Sequence, residues 1–371
     1  MANRQRWLGA SLGLGLCGLF CASGCELVAG LDGDYKLDTT PAASLCDPVR
    51  PPDPPAVQGA GGDVAFTVAI RKVDLGEADK TPRFGFDLDD TCSCTVDAQS
   101  CVRPSWAEKT KQVCDDPRGL DNGTSVALNQ ANVIAGGALG SAFISDGAEK
   151  GFWTILLRVK GWSAMPDDDQ VEVAVYHTTG FAAGTTPLWN GTDAWPVDDQ
   201  SVNAMDIESP VLVDTAAYVR GGELVAHLSS LRFPFRGEMM QFPLKVESVV
   251  LSAKIDTLAD GVHALHGGTI GAKWRLPDLF VSLGELRYNG DDMLCRDDFA
   301  YSPVKHIFCD ATDIFSGEMP AGDGQMPECD AISFGLRFET EPAQLGALVP
   351  HVDGPADTCA AGQSPKVDDC K

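Results

Sequence analysis

Four oxygen-bearing side chains before residue 125 have the types and spacing that can bind a hard cation. Asp87 and Asp89 lie two residues apart near the end of a predicted strand, so both can face the same side of it. Asp121 and Asn122 lie in a loop flanked by glycines. Such oxygens from two loops are the ligands that calcium prefers, although Asp-Asn beside Gly is also common in ordinary turns. The four residues are therefore candidate calcium ligands, and the sequence requires no cofactor.

A second candidate site contains two tryptophans. Trp189 and Trp195 bracket Asn190 and Asp193. Aromatic faces stack on the CH surfaces of sugars, while side-chain amides and carboxylates bind hydroxyl groups, so these four residues could line a glycan-binding surface. Proteins also bury most of their tryptophan surface, and the alternative is that both rings cover the edge of a sheet.

The six histidines form no recognisable catalytic motif. Beyond residue 24 the chain lacks the Gly-x-Ser-x-Gly sequence that positions the nucleophile of an α/β-hydrolase. His263 and His266 are spaced i, i+3, but nearby glycines favour a turn or strand, and the i+4 spacing of a metalloprotease helix is missing. The 53 acidic residues single out no carboxylate pair for glycoside hydrolysis. We assign no catalytic residue, and the sequence leaves open whether the protein is an enzyme.

The N-terminal segment predicts export. Two arginines precede the apolar stretch 7–20, which is too short to span a bilayer stably and is typical of a secretory signal. The small residues that follow end at Cys25 and look like a bacterial lipoprotein lipobox. This pattern predicts a signal peptide over residues 1–24 and a lipid on Cys25, while ordinary signal-peptidase cleavage near Ala22 is the alternative.

Charge narrows the choice of partners. The formal net charge is −25, and a surface of this sign repels nucleic acid and anionic membrane faces. We expect the protein to contact a membrane only through its N-terminal lipid. The expected location is the cell envelope, with the outer membrane favoured over the inner one.

The cysteine count predicts disulfides. Of 13 cysteines, two leave with the signal peptide and one carries the lipid, and the remaining even number is typical of a disulfide-bonded exported protein. The ten are Cys46, Cys92, Cys94, Cys101, Cys114, Cys295, Cys309, Cys329, Cys359 and Cys370. Five precede residue 115 and five follow residue 294, so complete pairing needs at least one disulfide between the two groups. We expect Cys92 and Cys94 to pair with Cys101 and Cys114, Cys295 with Cys309, Cys359 with Cys370, and Cys46 with Cys329.

The chain divides into four predicted parts. Residues 1–24 form the signal peptide, and residues 25–62 form a lipidated N-terminus and a proline- and glycine-rich tether. Residues 63–345 form a β-sandwich domain that contains a cysteine-rich loop at 91–123. Residues 346–371 form a C-terminal tail that carries disulfides.

The hydrophobic pattern predicts a mainly β fold. Alternating apolar residues predict strands at 64–73, 83–89, 152–159, 171–176, 211–219, 223–227, 231–235, 244–255, 268–276 and 331–338. Gly221 and Gly222 predict a hairpin between two of them. Helices are expected from Thr124 or Ser125 to residue 134, and over 277–286. Many short strands with few helices favour an antiparallel β-sandwich, of jelly-roll or concanavalin-like type, with disulfide-rich loops.

Five stretches resemble a group of lipoproteins of unknown function from myxobacteria-type bacteria. They are CELVAGL at 25–31, GFDLD at 85–89, GLDN at 119–122, WNGTDAW at 189–195 and CDAISFG at 329–335. The likeness extends over most of the chain after the leader, and it implies lipidation but no particular activity.

We therefore expect a membrane-anchored exported lipoprotein that binds a ligand or has a structural role in the envelope, with an envelope protein or a glycan as partner. The alternative is a glycan-binding module or a carbohydrate-active hydrolase on a concanavalin-like sandwich. Two facing carboxylates in a groove would favour the hydrolase, and a flat face with exposed tryptophans would favour the glycan binder.

Overall fold

The computed structural model describes residues 48–56, 61–78, 84–94, 99–116, 118–259, 261–288, 292–318, 325–354 and 356–371. The predicted signal peptide, Cys25, Cys46 and most of the predicted tether lie outside these residues. In these ranges, no helix is both long enough and apolar enough to cross a membrane.

Strands form most of the regular structure, which confirms the predicted mainly β fold. They are β1 (Val64–Asp74), β2 (Ile155–Trp162), β3 (Asp168–His177), β4 (Ala194–Asp198), β5 (Leu212–Arg220), β6 (Glu223–Arg236), β7 (Met240–Thr257), β8 (His263–Arg275), β9 (Arg287–Tyr288), β10 (Asp292–Met293), β11 (Ala331–Pro342) and β12 (Gln344–Val349). The α-helices are α1 (Gly123–Ile134), α2 (Ser141–Glu149), α3 (Leu276–Glu285) and α4 (Tyr301–Asp310). Short 3₁₀ helices occupy Lys109–Lys111, Asp199–Ser201 and Pro365–Val367.

Ten strands form one large sheet, in the order β10-β9-β7-β6-β5-β3-β2-β1-β11-β8. Strand β7 also pairs with β8, so eight of the strands form a closed antiparallel ring. The first strand pairs with the late strand β11, with Val68 opposite Pro342. The two facing sheets of a sandwich are therefore not confirmed. Alternating apolar residues predict a strand with one buried face, and that local pattern is the same in a sandwich and in a sheet that closes on itself.

The core lies on one face of this closed sheet. In β1, Val68 and Ile70 belong to the main apolar cluster, whereas Ala69 between them belongs to a separate one. The main cluster also contains Phe233, Phe334 and large side chains from all four helices. Full burial of such a side chain stabilises the folded chain by roughly 1.5–3 kcal/mol, so this cluster contributes strongly to the stability of the closed sheet.

A small second sheet covers the opposite face. Strands β4 and β12 pair in parallel, with Leu345 next to Trp195. Trp195 and Val197 pack with Ala69, Leu156 and Tyr176, which point away from the main core. This contact buries three neighbouring strands, β1 to β3, on both faces.

Several local predictions are corrected. The predicted strand at 83–89 is wrong in its described part, residues 84–89. The β pairing there is a single isolated bridge between Phe86 and Asp121. Helix α1 is capped by Asn122, whose Oδ1 accepts the Ser125 N–H at 3.1 Å, and not by Thr124 or Ser125. The predicted hairpin at Gly221 and Gly222 is confirmed, and the separate strand at 231–235 is part of β6.

Disulfides are confirmed, but most of the expected pairs are wrong. The observed pairs are Cys94–Cys114, Cys101–Cys329, Cys295–Cys359 and Cys309–Cys370, and Cys92 is also disulfide-bonded. Only Cys94–Cys114 fits the expectation. A disulfide between the N-terminal and C-terminal groups was expected, and Cys101–Cys329 confirms it. The partner of Cys329 is Cys101 and not the expected Cys46. In the C-terminal group, the expected pairs joined cysteines that are close in sequence. Instead, Tyr301 and Lys305 of α4 bind Asp368 and hold the tail beside that helix, where Cys309 pairs with Cys370.

Candidate functional site

Two places in the described residues combine burial with convergent polar side chains. The first is an acidic cluster formed by Asp87, Asp89 and Asp121. One carboxylate oxygen from each residue lies within 4.8 Å of the others. The bridge between Phe86 and Asp121 brings the two chain segments together just before α1. The structure therefore joins three of the four residues that the sequence suggested as calcium ligands.

Backbone groups hold the acidic cluster in place. The Leu88 N–H donates to Asp121 Oδ2 at 2.7 Å, and the Thr91 N–H donates to Asp89 Oδ1 at 3.0 Å. The Ser100 hydroxyl donates to the other Asp89 oxygen. Asp87 Oδ1 accepts the Asp89 N–H at 3.3 Å, but Asp87 Oδ2 is buried and accepts no hydrogen bond.

Asn122 is not placed as a ligand. Its Nδ2 donates to the carbonyl oxygens of Phe84 and Gly335 at 3.0 and 3.1 Å. Its Oδ1 accepts the N–H groups of Ser125 and Gly335 at 3.1 and 3.0 Å. All the amide's main hydrogen-bonding groups are thus used to connect the 84–94 segment, α1 and β11.

Two further acids that the sequence did not single out, Asp115 and Asp313, interact electrostatically with the cluster. Burial raises the pKa of Asp89 to about 6, and the charge of Asp115 contributes. Burial also raises the pKa of Asp313 to about 7, even though Ser333 donates both its N–H and its hydroxyl to that carboxylate. Burial likewise raises the pKa values of Asp87, Asp115 and Asp121. Five acids thus share a poorly hydrated region in which negative charge is costly.

The second place is a cleft of about 610 Å³ beside the outer face of β6 and β7. Its wall also includes the segment 351–354, the ends of β3 and α3, and residues of the 3₁₀ helix Asp199–Ser201. In β6, the apolar residues Phe233 and Phe235 enter the core, so Arg232 and Arg236 face the cleft. The alternation of Leu, Arg, Phe, Pro, Phe and Arg at 231–236 was a sequence signal for this exposed pair.

Basic side chains outnumber acidic ones in the cleft wall. The basic ones are Arg232, Arg236, Lys245, Arg287 and Lys366, and the acidic ones are Asp198, Glu285 and Asp353. Glu285 binds both Arg232 and Lys366, each at 3.2 Å. Lys245 binds Glu247 and Asp278, which stand outside the wall. Arg236 has no carboxylate partner in the described part of the chain.

Two histidines also line the cleft. His351 Nδ1 lies 2.5 Å from Asp198 Oδ2, and this contact orients the imidazole ring. His177 Nε2 lies 2.9 Å from the Arg232 carbonyl oxygen, and burial lowers the pKa of His177. Within the described ranges, no Ser, Thr or Cys side chain hydrogen bonds to the His351 ring. The Asp198–His351 pair is therefore not part of an assembled catalytic triad.

The predicted tryptophan surface is not an exposed platform. Trp195 is fully buried, and its ring packs against Phe181 and Trp189 at centroid distances of 4.4 and 5.3 Å. Asp193 accepts the N–H groups of Leu188 and Trp189. Asn190 Oδ1 accepts the N–H and hydroxyl of its neighbour Thr192. The geometry corresponds to the alternative in which the two rings cover the edge of a sheet.

The other pair of histidines is part of a strand. His263 and His266 lie in β8, as the nearby glycines suggested, rather than on a helix. His266 Nδ1 lies 3.0 Å from Glu339 Oε2, across the β8–β11 region. The two histidines do not belong to either candidate site.

Comparison with known proteins gives no functional assignment. No protein-family model matches the chain, and no curated protein or solved structure matches it. The resemblance to myxobacterial lipoproteins remains a prediction.

Proposed function

We propose that the protein is a lipid-anchored envelope protein that binds a small anionic ligand in the cleft beside β6 and β7. The observation that supports this most strongly is the excess of basic side chains in that cleft, in a chain whose formal net charge is −25. Anions are repelled by most of such a surface. A local concentration of guanidinium and ammonium groups would therefore select where an anion binds.

Strand pairing adds an energetic argument. Arg232 on β6 lies directly opposite Lys245 on β7. Like charges directly opposite each other on neighbouring strands destabilise a sheet. Their acidic partners offset part of this cost, and an anion bound between the two cations would offset more of it. A binding role gives a reason for placing two cations at this pair of positions.

The size and polarity of the cleft also support a small ligand. Binding sites for small molecules have volumes of roughly 300–1,000 Å³ and combine apolar walls with a few oriented polar groups. The cleft has about 610 Å³ and places Pro234 and Pro243 between its charged residues. Arg presents a planar fork of donors that matches carboxylate and phosphate groups. The ligand class we favour is a small carboxylate or phosphate compound.

Hydrolysis of a glycan has weaker support. A glycosidase needs two carboxyl groups available across a cleft. Here Glu285 is bound by Arg232 and Lys366, and Asp198 is bound by His351. Two of the three acids that line the cleft are thus engaged by its basic groups, which favours binding over two-carboxylate chemistry.

The anchor rests on the sequence pattern at Cys25 and on the tether that follows it. The nine described cysteines are all disulfide-bonded, as expected in an oxidising compartment outside the cytoplasm. We expect radioactive palmitate to label the wild-type protein in its own cells and to leave Cys25→Ala unlabelled. Equal labelling of both would contradict lipidation at this residue.

Binding in the cleft is tested by calorimetric titration of the purified protein with inorganic phosphate and with malonate at low ionic strength. The informative variant is Arg236→Gln, because Arg236 has no carboxylate partner among the described residues and its loss breaks no ion pair there. The control is Arg220→Gln, which removes an exposed arginine at the end of β5 and outside the cleft, together with its surface ion pair to Asp167 at 3.6 Å. We expect weaker binding only in Arg236→Gln.

A further inference from the structure

The acidic cluster contains a buried oxygen that needs a partner. Asp87 is 8% exposed, and its Oδ2 accepts no hydrogen bond. A buried carboxylate oxygen without a donor is costly, and native proteins rarely keep one without a partner, which is protein, ordered water or a bound ion. An oxygen of the same carboxylate lies within 4.8 Å of one from Asp89 and one from Asp121. The unpartnered group therefore belongs to a set of three converging carboxylates.

The neighbouring cations do not fill this role. Arg50 forms its ion pair with the exposed Asp90, one residue beyond Asp89. Lys273 Nζ donates to the carbonyl oxygen of Phe315 at 2.9 Å. Both side chains affect the electrostatics of the cluster, but neither donates a hydrogen bond to Asp87, Asp89 or Asp121 in the described structure. Among the described residues, no cationic side chain hydrogen bonds to any of the three acids.

The donor set indicates which cation would bind. All three groups are carboxylates, which are hard oxygen ligands suited to calcium or magnesium. The nearby Cys92 and Cys94 are disulfide-bonded and so are not thiolate ligands for zinc. Magnesium demands a small and regular octahedral shell, whereas calcium accepts irregular sets of six to eight oxygens completed by water or carbonyl groups. Loop carboxylates whose positions are set by backbone hydrogen bonds suit calcium better.

We propose that Asp87, Asp89 and Asp121 bind one calcium ion. The ion would connect the 84–94 segment to the residues just before α1, where Asn122 already joins that segment to β11. None of the three acids lines the cleft beside β6 and β7, so this site is separate from the proposed ligand site. Its role is structural: it fixes the cysteine-rich part of the chain to the closed sheet.

The test is calcium binding and thermal unfolding of the full-length protein. After equilibrium dialysis against 1 mM calcium, we expect about one calcium per wild-type chain, retained above the buffer concentration and measured by atomic emission. We also expect 1 mM calcium to raise the melting temperature by about 4 °C or more over EDTA, the shift for an ion at a hundred times its dissociation constant. Magnesium at the same concentration should give a smaller shift.

The key variant is Asp87→Asn, and the matched control is Asp90→Asn at the exposed neighbouring acid. Asp87→Asn should lose the bound calcium and the calcium-dependent shift, whereas Asp90→Asn should keep both. In EDTA, Asp87→Asn should melt at or above the wild-type temperature, because it removes one of several mutually repelling charges. That readout separates loss of a ligand from failure to fold.

Three outcomes would overturn the assignment. One is the absence of retained calcium together with equal melting temperatures in calcium and EDTA. Another is an equal loss of calcium in Asp87→Asn and Asp90→Asn. The third is a magnesium response as large as the calcium response, which would reject calcium as the preferred ion.

Discussion

At the scale of single residues, burial raises the pKa values of several acids near α1, which means that their charged forms are costly to bury. Asp87, Asp89 and Asp121 come together because one strand-like bridge aligns their segments. Spacing and residue type were enough to suggest these three from the sequence. The fourth candidate, Asn122, caps a helix and pairs with backbone from distant segments, and its neighbours in sequence do not reveal this. Asp313 had no sequence signal, since its position depends on the fold around Ser333.

Asp313 gives a prediction about pH. Its pKa in the folded chain is about 7, raised by burial, against about 4 in the unfolded chain. Between these values the folded state binds more protons, so the free energy of unfolding should fall as the pH rises from about 4 to about 7. Asp313→Asn keeps the size of the side chain and cannot ionise. We expect a shallower pH dependence in this variant, measured by urea unfolding in EDTA.

The comparison needs a control because burial also raises the pKa values of other acids in the region. Asp167→Asn changes an exposed acid on the turn before β3 and should keep the wild-type slope. If Asp313→Asn and Asp167→Asn show the same decline in stability between pH 4 and pH 7, the account of Asp313 is wrong.

At the scale of elements, alternation and turn residues predicted most strands, whereas glycine and proline concealed two helices. Helix α2 contains Gly147, which suggests a helix breaker in sequence. A Cβ at this position would lie 1.9 Å from the Arg236 carbonyl oxygen, so the glycine permits close packing of α2 against β6. Helix α4 has Pro303 in its first turn, where proline is tolerated. A local sequence pattern does not show such contacts between distant segments.

The disulfides predict a difference between two cross-links. Cys101–Cys329 joins residues 228 apart in sequence, whereas Cys94–Cys114 joins residues 20 apart. On the chain-entropy model, removal of the longer link costs about 5 kcal/mol and removal of the shorter link costs about 3 kcal/mol. The comparison is Cys101→Ala/Cys329→Ala against Cys94→Ala/Cys114→Ala, in urea unfolding without reductant. Equal losses of unfolding free energy would contradict a special role for the link between the two ends of the domain.

At the scale of the whole molecule, a strongly acidic chain encloses one core in a closed sheet and keeps an excess of basic groups in one cleft. Composition predicted the acidity, and hydrophobic alternation predicted the mainly antiparallel β fold. Closure of the sheet depends on pairing between β7 and β8, which no local pattern encodes. The cleft joins side chains from positions as distant as Asp198, Lys245 and His351. For that reason no local sequence pattern revealed the cleft as a site.

Titration of three proteins with inorganic phosphate shows whether the cleft binds a small anion. We predict that the wild type and Arg220→Gln bind phosphate with equal affinity. Arg236→Gln should bind about tenfold more weakly, because a hydrogen bond to a charged group is worth roughly 1.5–3 kcal/mol and about 1.4 kcal/mol changes affinity tenfold. Equal affinity in all three proteins, or no binding of phosphate or malonate to the wild type, would contradict the claim.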